Sequence, residues 1–263
     1  MTPLTEKIAI AVAAAAIALA AAGDTRAASA RRPAPAGAPG NAPAEYTKFT
    51  AQELRRGFLA LAFGSDLRLG SKLKRIHRFD KPIAVHVIAG GSIDRRDAYE
   101  RILSEFARAF PDLRLSLTGD SYAADLVVRL IDEKDFAHAI RAAFGAQTAR
   151  DFVARTDAQC MTAVKSEAEG GIIRADSFII VDQGDRVFFN CAYHEMLHAL
   201  GLPNHDQSNP FTTLNQNRMV GYLSVYDRAL VRMLYDPRIR SGMTRHEARR
   251  AAEAIATDIA AGL

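Results

Sequence analysis

The pentapeptide at 194–198, HEMLH, limits what this chain can form more than any other segment does. Its two histidines are four residues apart, so on an α-helix their side chains lie on one face, one turn apart. Glu195 projects to the side, about a third of a turn away. Gly201 tolerates the left-handed conformation that ends many helices, and Pro203 cannot continue a helix. The pattern therefore predicts a helix over 187–200 that ends just after the second histidine.

Such a helix end favours a metal site, and Zn²⁺ is the ion that we expect. His194 and His198 can bind one ion from neighbouring turns, and a catalytic zinc takes a third ligand from the protein. His205 is the expected third ligand because imidazole binds zinc better than a neutral amide does. Asn204 stays open as the alternative ligand, and Asp206 is a candidate outer partner that orients a ligand.

Residues 194–201 resemble the metzincin pattern HExxHxxGxxH, whose last histidine corresponds to position 204. Metzincins also carry a methionine in a turn beneath the metal, and Met219 looks like the candidate for it. Tyr222 is the candidate for a side chain that polarises a substrate carbonyl or touches the metal. Packing in the core is the alternative role for both Met219 and Tyr222. The resemblance implies a zincin-like fold and a zinc-dependent peptidase.

A longer stretch, 178–243, resembles a family of exported bacterial domains of unknown function, and 58–64 and 78–82 fit the start of that family. A cysteine pair, a turn after the histidine helix and a late run carry this resemblance: Cys160, Cys191, Gly201, Leu202, Pro203, Asn204, Asp227, Leu234, Tyr235, Asp236, Pro237, Arg238, Gly242 and Met243. The resemblance implies a zincin-like fold for most of the mature chain. Membership alone implies no catalysis, so the intact HExxH is what favours activity.

The amino terminus predicts export. Lys7 precedes an unbroken apolar run over 8–22, and small residues at 28–30 suit a signal peptidase. That run is shorter than the roughly 20 residues that cross a bilayer as a helix. We therefore predict a signal peptide at 1–30, a flexible Pro/Ala-rich linker at 31–45 and one domain at 46–263. The mature protein is expected to be secreted or periplasmic, without stable membrane insertion; a retained anchor is the alternative.

The composition predicts a disulfide and argues against nucleic acid as a partner. The chain has two cysteines, and an oxidising compartment favours a bridge between Cys160 and Cys191 over two buried thiols. The formal charge of +4 is spread among acidic residues, which gives no basic groove for nucleic acid. A peptide or protein substrate is the expected partner, and the sequence leaves the oligomeric state open.

Hydrophobic periodicity predicts an α+β domain. Helices are expected from Thr50, over 93–110, 135–144, 224–235 and 244–260, and strands over 83–89, 113–117, 126–131 and 172–181. We expect a single zincin-like, metzincin-like domain with a twisted mixed sheet, an active-site helix and C-terminal helices. Substrate is expected to lie along the strand 172–181.

These patterns together predict an exported zinc metallopeptidase that hydrolyses peptide bonds with a metal-activated water, Glu195 being the general base. Two alternatives stay open. One is a non-catalytic, zinc-containing binding module of the cell envelope, which a closed four-ligand site would favour. The other is a zinc amidase that acts on cell-wall amides by the same metal chemistry.

Overall fold

The computed structural model of the chain describes residues 9–16, 46–64, 74–153 and 158–263. The predicted linker 31–45 lies outside these residues, and so does the predicted signal peptide 1–30 apart from 9–16. Within the described ranges the chain belongs to the α+β class, as the sequence predicts. No helix in those ranges has both the length and the apolar character of a membrane span.

Among the described residues, five strands between Ala84 and Ile180 form one mixed sheet, and a sixth strand lies at its edge. In chain order the strands are β1 (Ala9–Ala16), β2 (Ala84–Ala89), β3 (Ser116–Leu117), β4 (Leu126–Ile131), β5 (Ala158–Ser166) and β6 (Ile172–Ile180). Their order across the sheet is β1, β5, β6, β4, β2, β3. β3, β2, β4 and β6 are mutually parallel, whereas β5 runs antiparallel to β6 and β1 antiparallel to β5.

The described residues also form α-helices that cover the sheet. They are α1 (Ala51–Leu61), α2 (Arg96–Ala109), α3 (Glu133–Val153), α4 (Asp185–Ala199), α5 (Val225–Tyr235) and α6 (Arg245–Ala261). Thr50 and Thr244 begin α1 and α6 with capping boxes, which satisfy main-chain N–H groups that the first helical turn leaves unpaired. Gly145, with φ of 86°, breaks the helical conformation inside α3.

The two faces of the sheet are covered unequally. On one face, α4 packs across β5 and β6, and its side chains join the larger hydrophobic core together with those of α1, α2, α5 and α6. On the other face, α3 packs over a smaller cluster to which Met161, Ala163 and Phe178 belong. The helix that carries the histidines is therefore enclosed between the sheet and the other helices.

The strand and helix bounds require several corrections to the expectations. β5 was not predicted, α2 begins at Arg96 rather than at 93, and β3 begins only at Ser116, after a 3₁₀ turn at Pro111–Leu113. The expected substrate position along 172–181 is wrong. β6 pairs with β4 on one side and with β5 on the other, so its main chain has no edge to offer a peptide.

Candidate metal centre

Helix α4 is almost completely buried from Phe188 onward, because apolar residues surround its histidines on every side. The disulfide between Cys160 and Cys191 confirms the predicted pair and joins β5 to α4, with the two Cα atoms 5.8 Å apart. Cys191 lies inside α4, about one turn before His194. The histidine face of α4 is thereby fixed to the strand beside it.

Gly201 ends α4 in the way that the sequence predicts. Its φ is 110°, its N–H donates to the carbonyl oxygen of His198 at 3.0 Å, and the N–H of Leu202 donates to Leu197 at 3.2 Å. This pair of bonds is a Schellman motif, which reverses the chain direction after a helix. A Cβ atom at position 201 would lie 2.0 Å from the carbonyl oxygen of His77, so both conformation and space require glycine.

The reversal brings three imidazoles together. The Nε2 atom of His194 lies 2.9 Å from that of His198 and 3.0 Å from that of His205, and the last two are 3.1 Å apart. His194 and His198 are 1% exposed and His205 is 8% exposed. The structure thus unites the three histidines that the sequence singled out.

In two of the three rings, the hydrogen bond made by Nδ1 shows which ring nitrogen carries the hydrogen. Nδ1 of His194 lies 2.8 Å from the carbonyl oxygen of Thr213, and Nδ1 of His198 lies 2.7 Å from that of Leu202. Because a carbonyl oxygen only accepts, each Nδ1 must be the donor, and in a neutral ring Nε2 then carries a lone pair. Two lone pairs 2.9 Å apart repel each other unless a cation lies between them.

Burial keeps these rings neutral. It lowers the pKa of His194 to about 3, and the neighbouring His205 ring adds to the effect, while the hydrogen bond to Thr213 acts in the opposite direction. Burial likewise lowers the pKa of His198 well below its usual range, again with help from the other two rings. A shared proton is therefore a poor cation for this cluster, and a metal ion is the better one.

Glu195 follows His194 in α4 and is enclosed by the core. Its side chain is fully buried, and neither carboxylate oxygen has a hydrogen-bond partner among the described residues. The nearby Thr162 hydroxyl donates to the main-chain oxygen of Glu195 at 3.3 Å. Burial raises the pKa of this carboxyl group well above the usual range. A buried carboxyl group without an ion-pair partner is costly in its charged form, and this one belongs to the same helix as two of the three imidazoles.

Asn204, the alternative ligand, faces away from the cluster. Its side-chain amide donates to the carbonyl oxygens of Ala60 and Phe63, at 2.9 and 3.4 Å, near the end of α1. Its main-chain N–H donates to Leu61 at 3.2 Å. Asn204 thus attaches the turn to α1, and the next residue, His205, supplies the third ring.

Asp206, Met219 and Tyr222 are the other residues that the sequence predicted to support the site. One carboxylate oxygen of Asp206 accepts from the N–H and the hydroxyl of Ser208, at 3.1 and 2.6 Å, so it organises its own loop. Met219 is half-buried, and Tyr222 is 46% exposed with its main-chain oxygen accepting from the Thr213 hydroxyl. The outer partners of His194 and His198 are main-chain oxygens of Thr213 and Leu202 instead.

Sequence reasoning missed these main-chain partners. A carbonyl oxygen has no residue signature, so the only available signal for Leu202 was the helix end at Gly201, which turns the next residues back toward the helix. Thr213 lies in the loop after His205 and gave no periodic signal at all.

The residues present fit a transition-metal ion. Three nitrogens at the usual 2.0–2.1 Å from one tetrahedral zinc ion are about 3.3 Å apart, close to the 2.9–3.1 Å between the Nε2 atoms here. Imidazole suits zinc, copper, nickel and iron, so the three histidines favour a transition metal of this group without identifying which one. Within the described ranges, His194, His198 and His205 are the one cluster of metal-binding side chains of this kind.

Comparison with known proteins gives a family but no activity. A family model described as "Protein of unknown function (DUF2927)" matches residues 51–254, which include every element from α1 to most of α6 and all three histidines. Neither curated proteins nor solved structures gave a match.

Proposed function

We propose, for a chain that belongs to the DUF2927 family, that it is an exported zinc-dependent metallopeptidase with a zincin-like fold. The observation that carries this proposal is the convergence of three histidine Nε2 atoms, 2.9–3.1 Å apart, at a helix that also carries a buried glutamate. Three protein ligands of this kind leave the fourth position of a tetrahedral ion for water or substrate, which is the arrangement of catalytic zinc sites. The disulfide supports a location outside the cytoplasm.

His194, His198 and His205 would hold the ion through Nε2. The carbonyl oxygens of Thr213 and Leu202 would keep the first two rings in the required orientation by accepting from Nδ1. A bound zinc ion would act as a Lewis acid, which lowers the pKa of a water molecule to near neutral and polarises a carbonyl oxygen.

Glu195 would manage the proton. A carboxyl group with a raised pKa holds a proton more firmly than an ordinary glutamate does. This property suits a residue that takes a proton from the attacking water and gives it to the leaving amine. Glu195 lies in the same helical turn as His194 but points off the histidine face, so it would act without binding the metal.

An extended peptide would bind along β5 rather than β6. β5 packs beside α4, and its outer edge pairs with β1, a segment inside the predicted signal peptide. If that segment is removed on export, the main chain of β5 is left with unpaired groups, which an extended peptide can bind by adding a strand.

Substitution of Glu195 by glutamine tests the proposal. The exported chain should contain about one zinc ion and hydrolyse peptides in a library digest, and a chelator should stop hydrolysis. Glu195→Gln should keep the zinc and lose at least about 100-fold in rate, the usual contribution of a general base. Glu167→Gln, on the exposed turn between β5 and β6, is the control. Full hydrolysis by Glu195→Gln would exclude Glu195 as the base.

The burial of the site favours one second candidate, a non-catalytic binding module with a structural zinc. Glu195 is 0% exposed and two of the three rings are 1% exposed, as in sites that serve folding. One tightly held zinc ion with no cleavage of any peptide or cell-wall amide would favour this module. Cleavage of cell-wall amides alone would instead indicate an amidase.

A further inference from the structure

Asp227 is a fully buried carboxylate in the first turn of α5. One of its oxygens accepts from the Thr212 hydroxyl at 2.6 Å, and the other accepts from the N–H and the hydroxyl of Thr213, at 2.9 and 2.8 Å. No Lys, Arg or His forms an ion pair with it among the described residues. A buried carboxylate is costly, so its contacts need an explanation.

Capping of its own helix does not provide that explanation. In α1 and α6 the acidic residue at the same position bonds back to the residue that begins the helix: Glu53 to the N–H of Thr50, and Glu247 to the N–H of Thr244, both at 2.8 Å. Asp227 directs its carboxylate to two residues of the loop at 212–213, although the Ser224 hydroxyl also interacts with it. Its own N–H is satisfied by the Ser224 hydroxyl at 2.9 Å.

This loop carries the acceptor for His194. The main chain of Thr213 is held by Asp227 at its N–H, and its carbonyl oxygen lies 2.8 Å from Nδ1 of His194. The Thr213 hydroxyl also lies 3.1 Å from the main-chain oxygen of Tyr222, so its single hydrogen serves one of two acceptors at a time. The N–H contact to Asp227 is therefore the part of the network that constantly fixes Thr213.

We propose that Asp227 is a positioning residue for the metal site: by fixing Thr213 it holds the carbonyl oxygen that orients His194. The inference rests on the proposed function in that it requires a divalent transition metal at the three histidines, but it does not require hydrolysis. Residues that orient a ligating histidine typically change metal affinity by about 10–100-fold when they are removed.

The test measures zinc affinity by competition with a chromophoric chelator, using the exported chain. In Asp227→Asn an NH₂ group replaces one acceptor, and the zinc dissociation constant should rise about 10–100-fold. The matched control is Asp132→Asn. Asp132 is a buried carboxylate that accepts from the N–H and the hydroxyl of Ser92, at 2.7 and 3.0 Å, at the end of β4. The control should lower the free energy of unfolding and leave zinc affinity unchanged.

Each outcome decides the matter. If Asp227→Asn behaves like Asp132→Asn, losing stability but keeping zinc affinity, Asp227 is a structural anchor and the inference fails alone. If the parent chain binds no zinc, the proposed function fails with it. If Asp227→Asn does not fold, the zinc titration is repeated on the same variant in a stabilising osmolyte, which favours the folded state, with Asp132→Asn in the same solution as the control. Weaker zinc binding by Asp227→Asn than by Asp132→Asn then supports the inference, and equal affinity overturns it.

Discussion

The side-chain amide of Asn204 donates to the carbonyl oxygen of Ala60 at 2.9 Å, so the residue before His205 is fixed to the end of α1. The two residues are 144 positions apart in sequence. Asn204 stands at the position where the metzincin pattern has its last histidine. Because its side chain is held by α1, the third imidazole comes from the next residue, His205. The position of the histidine cluster thus depends on a helix at the start of the domain as well as on α4.

Alanine substitutions at 204 and 205 should separate these two roles. Asn204→Ala removes the amide donor from the carbonyl oxygens of Ala60 and Phe63 and should lower the free energy of unfolding by about 1–3 kcal/mol, with zinc still bound. His205→Ala should abolish stoichiometric zinc binding. His138→Ala, on the exposed side of α3, is the control. Metal analysis and urea denaturation measure both effects, and loss of zinc from Asn204→Ala but not from His205→Ala would reverse the assignment.

Zinc should stabilise the folded chain strongly. A ligand that binds only the folded state at 1,000 times its dissociation constant adds about 4 kcal/mol. For a domain of 150–250 residues this corresponds to a rise in melting temperature of roughly 8–16 °C. Differential scanning calorimetry with zinc and with a chelator measures the rise. The variant lacking His205 should show none, and an equal rise in that variant would place the binding elsewhere.

Local patterns predicted the parts of this structure that depend on neighbouring residues in sequence. The histidine spacing in α4, the left-handed Gly201 and the helix starts at Thr50 and Thr244 all depend on contacts within a few residues, and all are confirmed. β4 was predicted with its bounds because its apolar run is dense.

The missed parts depend on contacts that are distant in sequence. β5 has core on both faces: Cys160 and Val164 belong to one cluster, and Met161 and Ala163 to the other. A strand buried on both faces lacks the alternation that reveals a half-exposed strand. The contact between Asp227 and Thr213 joins the first turn of α5 to the loop at 212–213, and no local period predicts it.

Acid should destabilise the metal-free protein through its buried histidines. Below pH 6.5 the unfolded chain binds a proton at His194 that the folded chain excludes until about pH 3. Stability from this residue is therefore complete above pH 6.5 and falls as the pH decreases, by about 2 kcal/mol between pH 7 and pH 5. His198 acts in the same direction.

Glu195 opposes this effect, because its raised pKa lets the folded chain keep a proton that the unfolded chain loses as the pH rises. The measurement is therefore made on chelator-treated Glu195→Gln, and on the same variant with His194→Asn added. Urea denaturation at pH 7 and pH 5 should show a loss that is about 2 kcal/mol smaller in the double variant. Equal losses in the two variants would contradict the neutral state of His194.

The Cys160–Cys191 bridge should supply a large share of the stability. It closes a loop of 31 residues, for which the chain-entropy model gives about 3–4 kcal/mol. Both sulfur positions are fully buried, so alanine is a better replacement than serine, whose hydroxyl would lack a partner. Urea denaturation of Cys160→Ala/Cys191→Ala should show this loss, and a reductant should lower the stability of the parent but not of the variant.

The bridge joins β5 to α4 one turn before His194, so zinc should recover part of the loss by holding the end of α4 from its other side. A variant as stable as the parent without zinc would show that packing alone fixes this helix to the sheet.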